Sequence, residues 1–281
     1  MKKLLFCLSL LLIVYSIHAQ RLLLTGFAGM SNYQGDLQDK RFTFDQAHVA
    51  VGLGGAYELT DQLFITAGIK VGKISGDDKR VNKNISRNLN FSSPLSEFQF
   101  GLEYDLFNLK EQDVTPYFFA GIAGFHFNPS TFDSLGRKTF LQPLGTEGQG
   151  FYNGRKKYNL TGVSIPFGAG IKMALNQQVR LGFEIGLRKT FTDYLDDVST
   201  TFADKTQLLQ NNGPLAVQLA FRSDELKPTF IYPAAGSIRG NPASKDWYYF
   251  AGFTISFRIN GGDGSGLHGG KSKTGCPTNV Y

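Results

Sequence analysis

The sequence predicts an all-β fold: an eight-stranded antiparallel transmembrane β-barrel with short turns at one end and long loops at the other. Three observations lead there. First, segments of about ten residues alternate apolar with small or polar side chains. In Leu63–Ile74, for example, Leu63, Ile65, Ala67, Ile69 and Val71 share one face, while Phe64, Thr66, Gly68, Lys70 and Gly72 share the other. Period two means a strand with two unlike faces. Second, the connections are alternately tiny and long, as in outer-membrane barrels. Third, Met1-Lys2-Lys3, the apolar run Leu4–Tyr15 and Ser16-Ile17-His18-Ala19 read as a secretory signal over 1–19. Past Gln20 no run is long and apolar enough for a helical span.

The strands follow in order. The first runs Leu22–Asn32 and the second His48–Leu59, with Val49, Val51, Leu53 and Tyr57 on its outer face. Thr60-Asp61-Gln62 turns into the third, Leu63–Ile74. The fourth, Leu95–Phe107, directs Phe98, Phe100, Leu102, Tyr104 and Leu106 to lipid and Glu97, Gln99, Glu103 and Asp105 to the lumen. In the fifth, Thr115–Phe127, the aromatics Tyr117, Phe119, Phe125 and Phe127 are assigned outward. The sixth, Gly162–Ala174, carries Val163, Ile165, Phe167, Ile171 and Met173 outward and Lys172 inward. The seventh, Val179–Lys189, sets its aliphatics against Arg180, Glu184 and Arg188. The eighth, Asp246–Ile259, points Trp247, Tyr249, Phe253, Ile255 and Phe257 outward. An even count puts both ends of the barrel, and the turns near Asp61, Asn108 and Gln177, on the periplasmic side. The long connections 33–47, 75–94, 128–161 and 190–245 then lie outside the cell. The barrel occupies 20–259 and a tail 260–281 follows. A secreted β-sandwich would also alternate. It would not require small or charged residues on one face of nearly every strand, nor Tyr57, Tyr117, Trp247 and Tyr249 near strand ends as interface girdles.

An eight-stranded barrel is just wide enough for its own side chains to fill it. The inward set includes Lys70, Glu97, Glu103, Lys172, Arg180, Glu184 and Arg188, with Glu58 and Asp105. Such charges are expected to pair across the interior as a structural plug, since an unpaired buried charge is costly. The alternative use of that set, an ion pathway, has no specific motif behind it.

The formal net charge of +6 sits in loops and tail, not as a stripe on one element, so nucleic acid is not an expected partner. No G-x-S-x-G and no H-x-x-x-H appears, and a nucleophile needs an oriented base beside it. No enzyme, cofactor or metal site is therefore expected. Three carboxylates in Thr192–Ser199 could bind calcium, but the EF-hand spacing is missing and loop capping fits better. Two basic clusters, Lys79, Arg80, Lys83 and Arg87, and Arg155, Lys156 and Lys157, lie in outer loops. They are either solvated loop charge or contacts to lipopolysaccharide phosphates. The tail joins a glycine-rich linker to Lys271, Lys273, Cys276 and Pro277. Cys276, the one cysteine left after signal removal, is either a free thiol or bonded to a partner.

Four segments carry a family resemblance: Gly29–Leu37 (GMSNYQGDL), Arg188–Ser199 (RKTFTDYLDDVS), Arg239-Gly240-Asn241-Pro242 with Asp246-Trp247-Tyr248, and the Cys276-Pro277 tail. With them the chain resembles the PorG-like outer-membrane barrels of Bacteroidota, components of the type IX secretion system. The resemblance implies a non-enzymatic subunit that anchors a periplasmic ring, built from a PorK-like lipoprotein and a PorN-like partner, to the outer membrane. The tail would then be the contact with the ring. The competing expectation is a free-standing OmpA-like or OmpW-like barrel that binds lipopolysaccharide or an external ligand through its loops.

Overall fold

A computed structural model describes residues 21–38, 43–80 and 84–259. The expected signal segment, Lys83, and the tail residues Lys271, Lys273, Cys276 and Pro277 lie outside the described residues. The strands are β1 (Leu22–Gln34), β2 (His48–Glu58), β3 (Leu63–Asp77), β4 (Asn90–Asp105), β5 (Val114–Phe127), β6 (Ser130–Phe132), β7 (Lys138–Phe140), β8 (Thr161–Ala174), β9 (Val179–Thr190) and β10 (Trp247–Arg258). Two short helices, α1 (Lys205–Asn212) and α2 (Pro214–Ala220), precede β10. The eight long strands pair antiparallel with their neighbours in the order β3-β2-β1-β10-β9-β8-β5-β4, and β3 pairs with β4 to close the ring. Closure leaves each long strand two neighbours, so backbone groups within the wall are paired without water.

Outward side chains form an apolar belt. Val49, Leu53, Ile69, Phe98, Leu102, Ile122, Val163, Ile171 and Phe253 are all exposed. The same strands turn Phe64, Lys70, Glu97, Asp105 and Arg188 into the barrel, where they are buried. Apolar outside and polar inside is the inverse of a water-soluble barrel and fits a wall bathed in lipid.

The fifth barrel strand corrects the sequence reading. Tyr117, Phe125 and Phe127 are buried inside, while Phe118 and Ile122 are the exposed pair. The reason is steric. A Cβ on Gly170 would lie 2.5 Å from the Tyr117 ring, and one on Gly168 or Gly186 would lie 2.7 Å from Phe119. The β5 aromatics therefore lie over inward glycines of β8 and β9. Tyr117 is accordingly a lumen residue and not an interface girdle. Tyr249 keeps its outward position but is buried, because Thr43 of the first long loop donates its N–H to the Tyr249 hydroxyl at 3.1 Å.

The long loops are more structured than the sequence suggested. The β3–β4 hairpin continues from Leu63↔Tyr104 to Asp77↔Asn90, well into the expected loop. The next loop contains the β6–β7 hairpin. The last holds the two helices. Asp204 caps α1 by accepting the Gln207 N–H, Gly213 ends it at φ 84°, and Pro214 opens α2. All four long connections fold together over one mouth of the barrel. The short turns around Asp61, Asn108 and Gln177 lie at the other mouth, with the ends of β1 and β10.

Candidate functional site: the filled lumen and its outer cap

The lumen is built in layers. At the short-turn end, Arg258 donates to Glu58 at 2.6 Å, and Arg180 lies 4.0 Å from the same carboxylate. One layer up, Lys172 pairs with Glu103 at 2.5 Å and Asp105 at 2.9 Å, and its ammonium stands 4.2 Å from the Tyr117 ring centre. Next, Lys70 pairs with Glu184 at 2.5 Å over the Phe27 ring, and the Tyr117 hydroxyl donates to Glu184 at 3.1 Å. Highest is Arg188. Its Nη2 donates to Glu97 and Gln99, each at 3.0 Å, while its plane lies 4.7 Å from Phe250 and the Tyr248 hydroxyl donates to Glu97 at 2.7 Å. Each cation thus has a carboxylate partner, and most also lie over an aromatic face, which compensates part of their desolvation. Between these layers remains a cavity of about 90 Å³, lined by Thr25, Thr66, Gln99, Thr254 and Ser256 among others. That volume is room for a few water molecules.

Above Arg188 the filling becomes aromatic. Phe125, Phe127, Tyr158 and Tyr194 stack upward, with Phe127–Tyr158 centroids at 6.3 Å and Tyr158–Tyr194 at 4.7 Å. The main hydrophobic cluster therefore sits in the long-loop half of the lumen and the loops over it.

The cap above is a polar knot. The Tyr33 hydroxyl donates to Asp196 at 2.6 Å and lies 3.4 Å from Asp246. Asp36 accepts the Asn241 N–H at 2.9 Å. Arg239 donates to the Asp197 carbonyl at 2.6 Å and to Glu147 at 3.1 Å. Glu147, fully buried, also accepts from Ser199 N at 2.9 Å, Thr200 Oγ1 at 2.6 Å and the Tyr194 hydroxyl at 3.2 Å. Gly240 fits against Asp36 and Ser199, and a Cβ there would lie 2.7 Å from Ser199 N. The three described segments that carry the sequence resemblance thus meet in one place. Burial pushes the Asp197 carboxyl up to about 6, although Arg239 opposes the shift. Burial also raises Asp196 and Asp246, and their mutual proximity adds to the rise in Asp246.

The carboxylates of the Asp193–Asp197 stretch face separate partners. Asp193 accepts from Ser199 at 2.7 Å, Asp196 from Tyr33, and Asp197 from Thr146 at 2.5 Å and Tyr158 at 2.7 Å. No group of carboxylate, histidine and cysteine side chains among the described residues has the arrangement to hold a metal ion.

The two basic clusters divide. Arg87 grips buried Asp78 through Nε and Nη2 at 2.8 and 2.7 Å and donates to the Arg239 and Asp36 carbonyls. Arg155 donates to the Glu147 and Thr201 carbonyls at 2.7 and 2.8 Å. Both are internal struts of the cap, which corrects their reading as surface cations. Lys79, Arg80, Lys156 and Lys157 are exposed. Glu147, the hub, escaped the sequence reading. Its signal was the pattern Gly145-Thr146-Glu147-Gly148-Gln149-Gly150, whose three glycines all take positive φ, at 56°, 80° and 106°.

A family model described as a domain of unknown function (DUF6089) matches residues 2–213. No curated protein matches the chain in sequence. Among solved structures, Neisserial surface protein A (NspA) aligns with TM-score 0.41 at 8% identity, over 85% of this chain and 97% of that one. OprG from Pseudomonas aeruginosa aligns with TM-score 0.40 at 11% identity, over 85% and 96%. Ail of Yersinia pestis, in complex with the heparin analogue sucrose octasulfate, aligns with TM-score 0.38 at 8% identity, over 84% and 97%. These likenesses are loose, and the closed barrel is established by this chain's own strand register.

Proposed function

The chain belongs to the DUF6089 family, and we propose that it is a non-enzymatic outer-membrane subunit of a type IX protein secretion machine. In this reading it anchors a periplasmic ring of PorK-like lipoprotein and PorN-like subunits. The observation that supports it is the filled lumen: paired charges occupy the lower half and packed aromatics the upper half. A barrel filled in this way suits an anchor better than a conduit. The described segments behind the PorG-like resemblance form the cap, so they act as fold-defining residues of the outer loops. In this reading the short-turn mouth, where β1 begins and β10 ends, faces the periplasm, and Lys271, Lys273, Cys276 and Pro277 of the tail would be the contact with the ring.

Pull-down of the full-length protein from gently solubilised outer membranes tests this. Recovery with a periplasmic lipoprotein ring supports it, and recovery alone overturns it. Deleting 260–281 should release the ring and halt secretion while the barrel remains assembled. In freshly alkylated membranes, Cys276 in a bond to a ring subunit would give a slower non-reducing band, lost with reductant and with Cys276→Ser. A second reading, a free-standing barrel that binds lipopolysaccharide, draws on a cationic groove at the barrel's outer rim.

A further inference from the structure

Two hollows on the outside of the barrel lie next to each other along β3. The lower is an apolar trough of about 630 Å³ in the lipid-facing wall. Its floor is Gly26 and Ala28 of β1, and its sides are Val51 and Leu53 of β2 and Phe253 and Ile255 of β10. The upper is a groove of about 670 Å³ at the outer rim, with the cations Lys73, Arg80 and Lys138 and the imidazole of His48 in its lining. The two meet along β3. Ile69 and Val71 border the trough, and Lys73, the next outward residue of that strand, borders the groove. Two strand residues rise about 7 Å, so Lys73 stands directly above the belt.

The groove exists because β2 leaves the wall early. The β2–β3 ladder stops at Val51↔Val71, whereas β3–β4 continues to Asp77↔Asn90. Ser31 Oγ stands in for the missing strand, donating to the Lys73 carbonyl at 2.7 Å and accepting its N–H at 3.2 Å. Lys73 and Lys138 are exposed, and neither ammonium has a carboxylate among the described ion pairs. Asp45 and Asp77 also line the groove, but the three cations outnumber them. Arg80 is held in place by the Asp45 carbonyl at 2.5 Å.

We infer that this pair of hollows binds one phosphorylated lipid of the outer leaflet, its acyl chain in the trough and its phosphate against Lys73, Lys138 and Arg80. The occupant follows from position and chemistry. Cations that sit just above an apolar belt lie at headgroup depth, where anionic phosphates concentrate. The trough beneath is apolar and accepts hydrocarbon, and only a lipid offers both parts at that spacing. Within the groove Lys73 and Lys138 are different residues from the loop clusters singled out in the sequence. The inference rests on the barrel spanning a membrane, but not on any role in secretion.

Purified full-length protein in detergent micelles, titrated with diphosphoryl lipid A and read by native mass spectrometry, tests it. One lipid adduct per barrel is expected, weakened about tenfold or more when both phosphates are removed from the probe. Lys73→Gln with Lys138→Gln should weaken it similarly, and Lys73→Arg should restore it. Gly26→Leu with Ala28→Leu should weaken it by filling the trough. A Cβ on Gly26 meets Ile255 Cγ2 at an ordinary 3.4 Å, so the wall accepts the change. Unboiled gel mobility reports the folded barrel in each variant. Equal binding of dephosphorylated probe, or no effect of the lysine pair, overturns the inference. Full competition by inorganic phosphate also overturns it, in favour of a free-anion site. Because the readout is binding in detergent, its failure leaves ring recovery from membranes untouched, and the reverse holds.

Discussion

Arg188→Met is the sharpest test of the filled lumen. The Arg188 and Glu97 side chains are both 0% exposed. The variant removes the guanidinium and leaves Glu97 buried, with the Tyr248 hydroxyl as its remaining donor. Removing one partner of such a pair costs about 3–5 kcal/mol, because the survivor remains as an uncompensated buried charge. With a urea slope of about 3 kcal/mol per molar, the unfolding midpoint should fall by roughly 1–1.7 M. Trp247, the single tryptophan, stands at the outer end of β10 with its ring 6.1 Å from Phe167, so its fluorescence reports loss of the wall. The double variant Arg188→Met with Glu97→Leu removes both charges and should recover most of the loss, since well-packed apolar replacements of buried pairs are near neutral. A wild-type midpoint in the single variant would mean that water, not protein, solvates Glu97, and the lumen would be open. A double variant no better than the single one would mean that the loss is packing against Phe250 rather than charge.

Other expectations follow from the same geometry. Planar-bilayer recording should show no resolvable conductance from the wild-type barrel, and steps in a Lys172→Ala, Glu103→Ala pair would locate the seal in that layer. The cap should resist proteolysis better near pH 5 than near pH 7.5. Asp197 has a raised folded pKa of about 6, so the folded state holds its proton more tightly. That stability is complete below the unfolded value near 4 and is lost as pH rises through 6, worth at most about 3 kcal/mol. Asp197→Asn should flatten the profile, and an unchanged profile in that variant would refute this assignment. Gly29→Val should block barrel assembly in the outer membrane, because a Cβ at Gly29 would collide with the Ala251 carbonyl and the Gly252 Cα across the β1–β10 seam. Protease added to intact cells should cut within 203–245, and cleavage confined to 260–281 would invert the proposed orientation.

Much of this fold was legible because lipid enforces period two on each strand. The observed strands β2, β3, β8 and β9 keep the faces their alternation gave. The β5 strand defeated the rule because it is apolar on both sides. Phe118 and Ile122 meet lipid while Tyr117, Phe119, Phe125 and Phe127 fill the lumen, and only knowledge of the facing glycines on β8 and β9 separates them. The cap was legible as motifs but not as geometry. Nothing in the spacing of Tyr33, Glu147, Asp197 and Arg239 announces that they touch. The rim groove was hidden for a similar reason. Lys73 continues the outward file of Ile69 and Val71 in the sequence, but the early departure of β2 shows only in the pairing register.

The cap has a consequence for how the chain comes together. Its bonds join Tyr33 to Asp196 and Asp246, and Asp36 to Asn241, residues more than 160 positions apart. Two of those partners, Asn241 and Asp246, lead directly into β10, the strand that also seals the ring against β1. The Tyr33–Asp246 and Asp36–Asn241 contacts therefore wait for the segment that leads into the last strand, whereas Asp196 is available to Tyr33 once β9 is made. Contacts of such long separation form late and at high entropic cost. Once formed, they tie the seam from above, so that a closed barrel and a finished cap arise in one cooperative event. A chain stalled before that segment would leave the edges of β1 and β9 open and the Asn241 and Asp246 contacts of the cap unmade together.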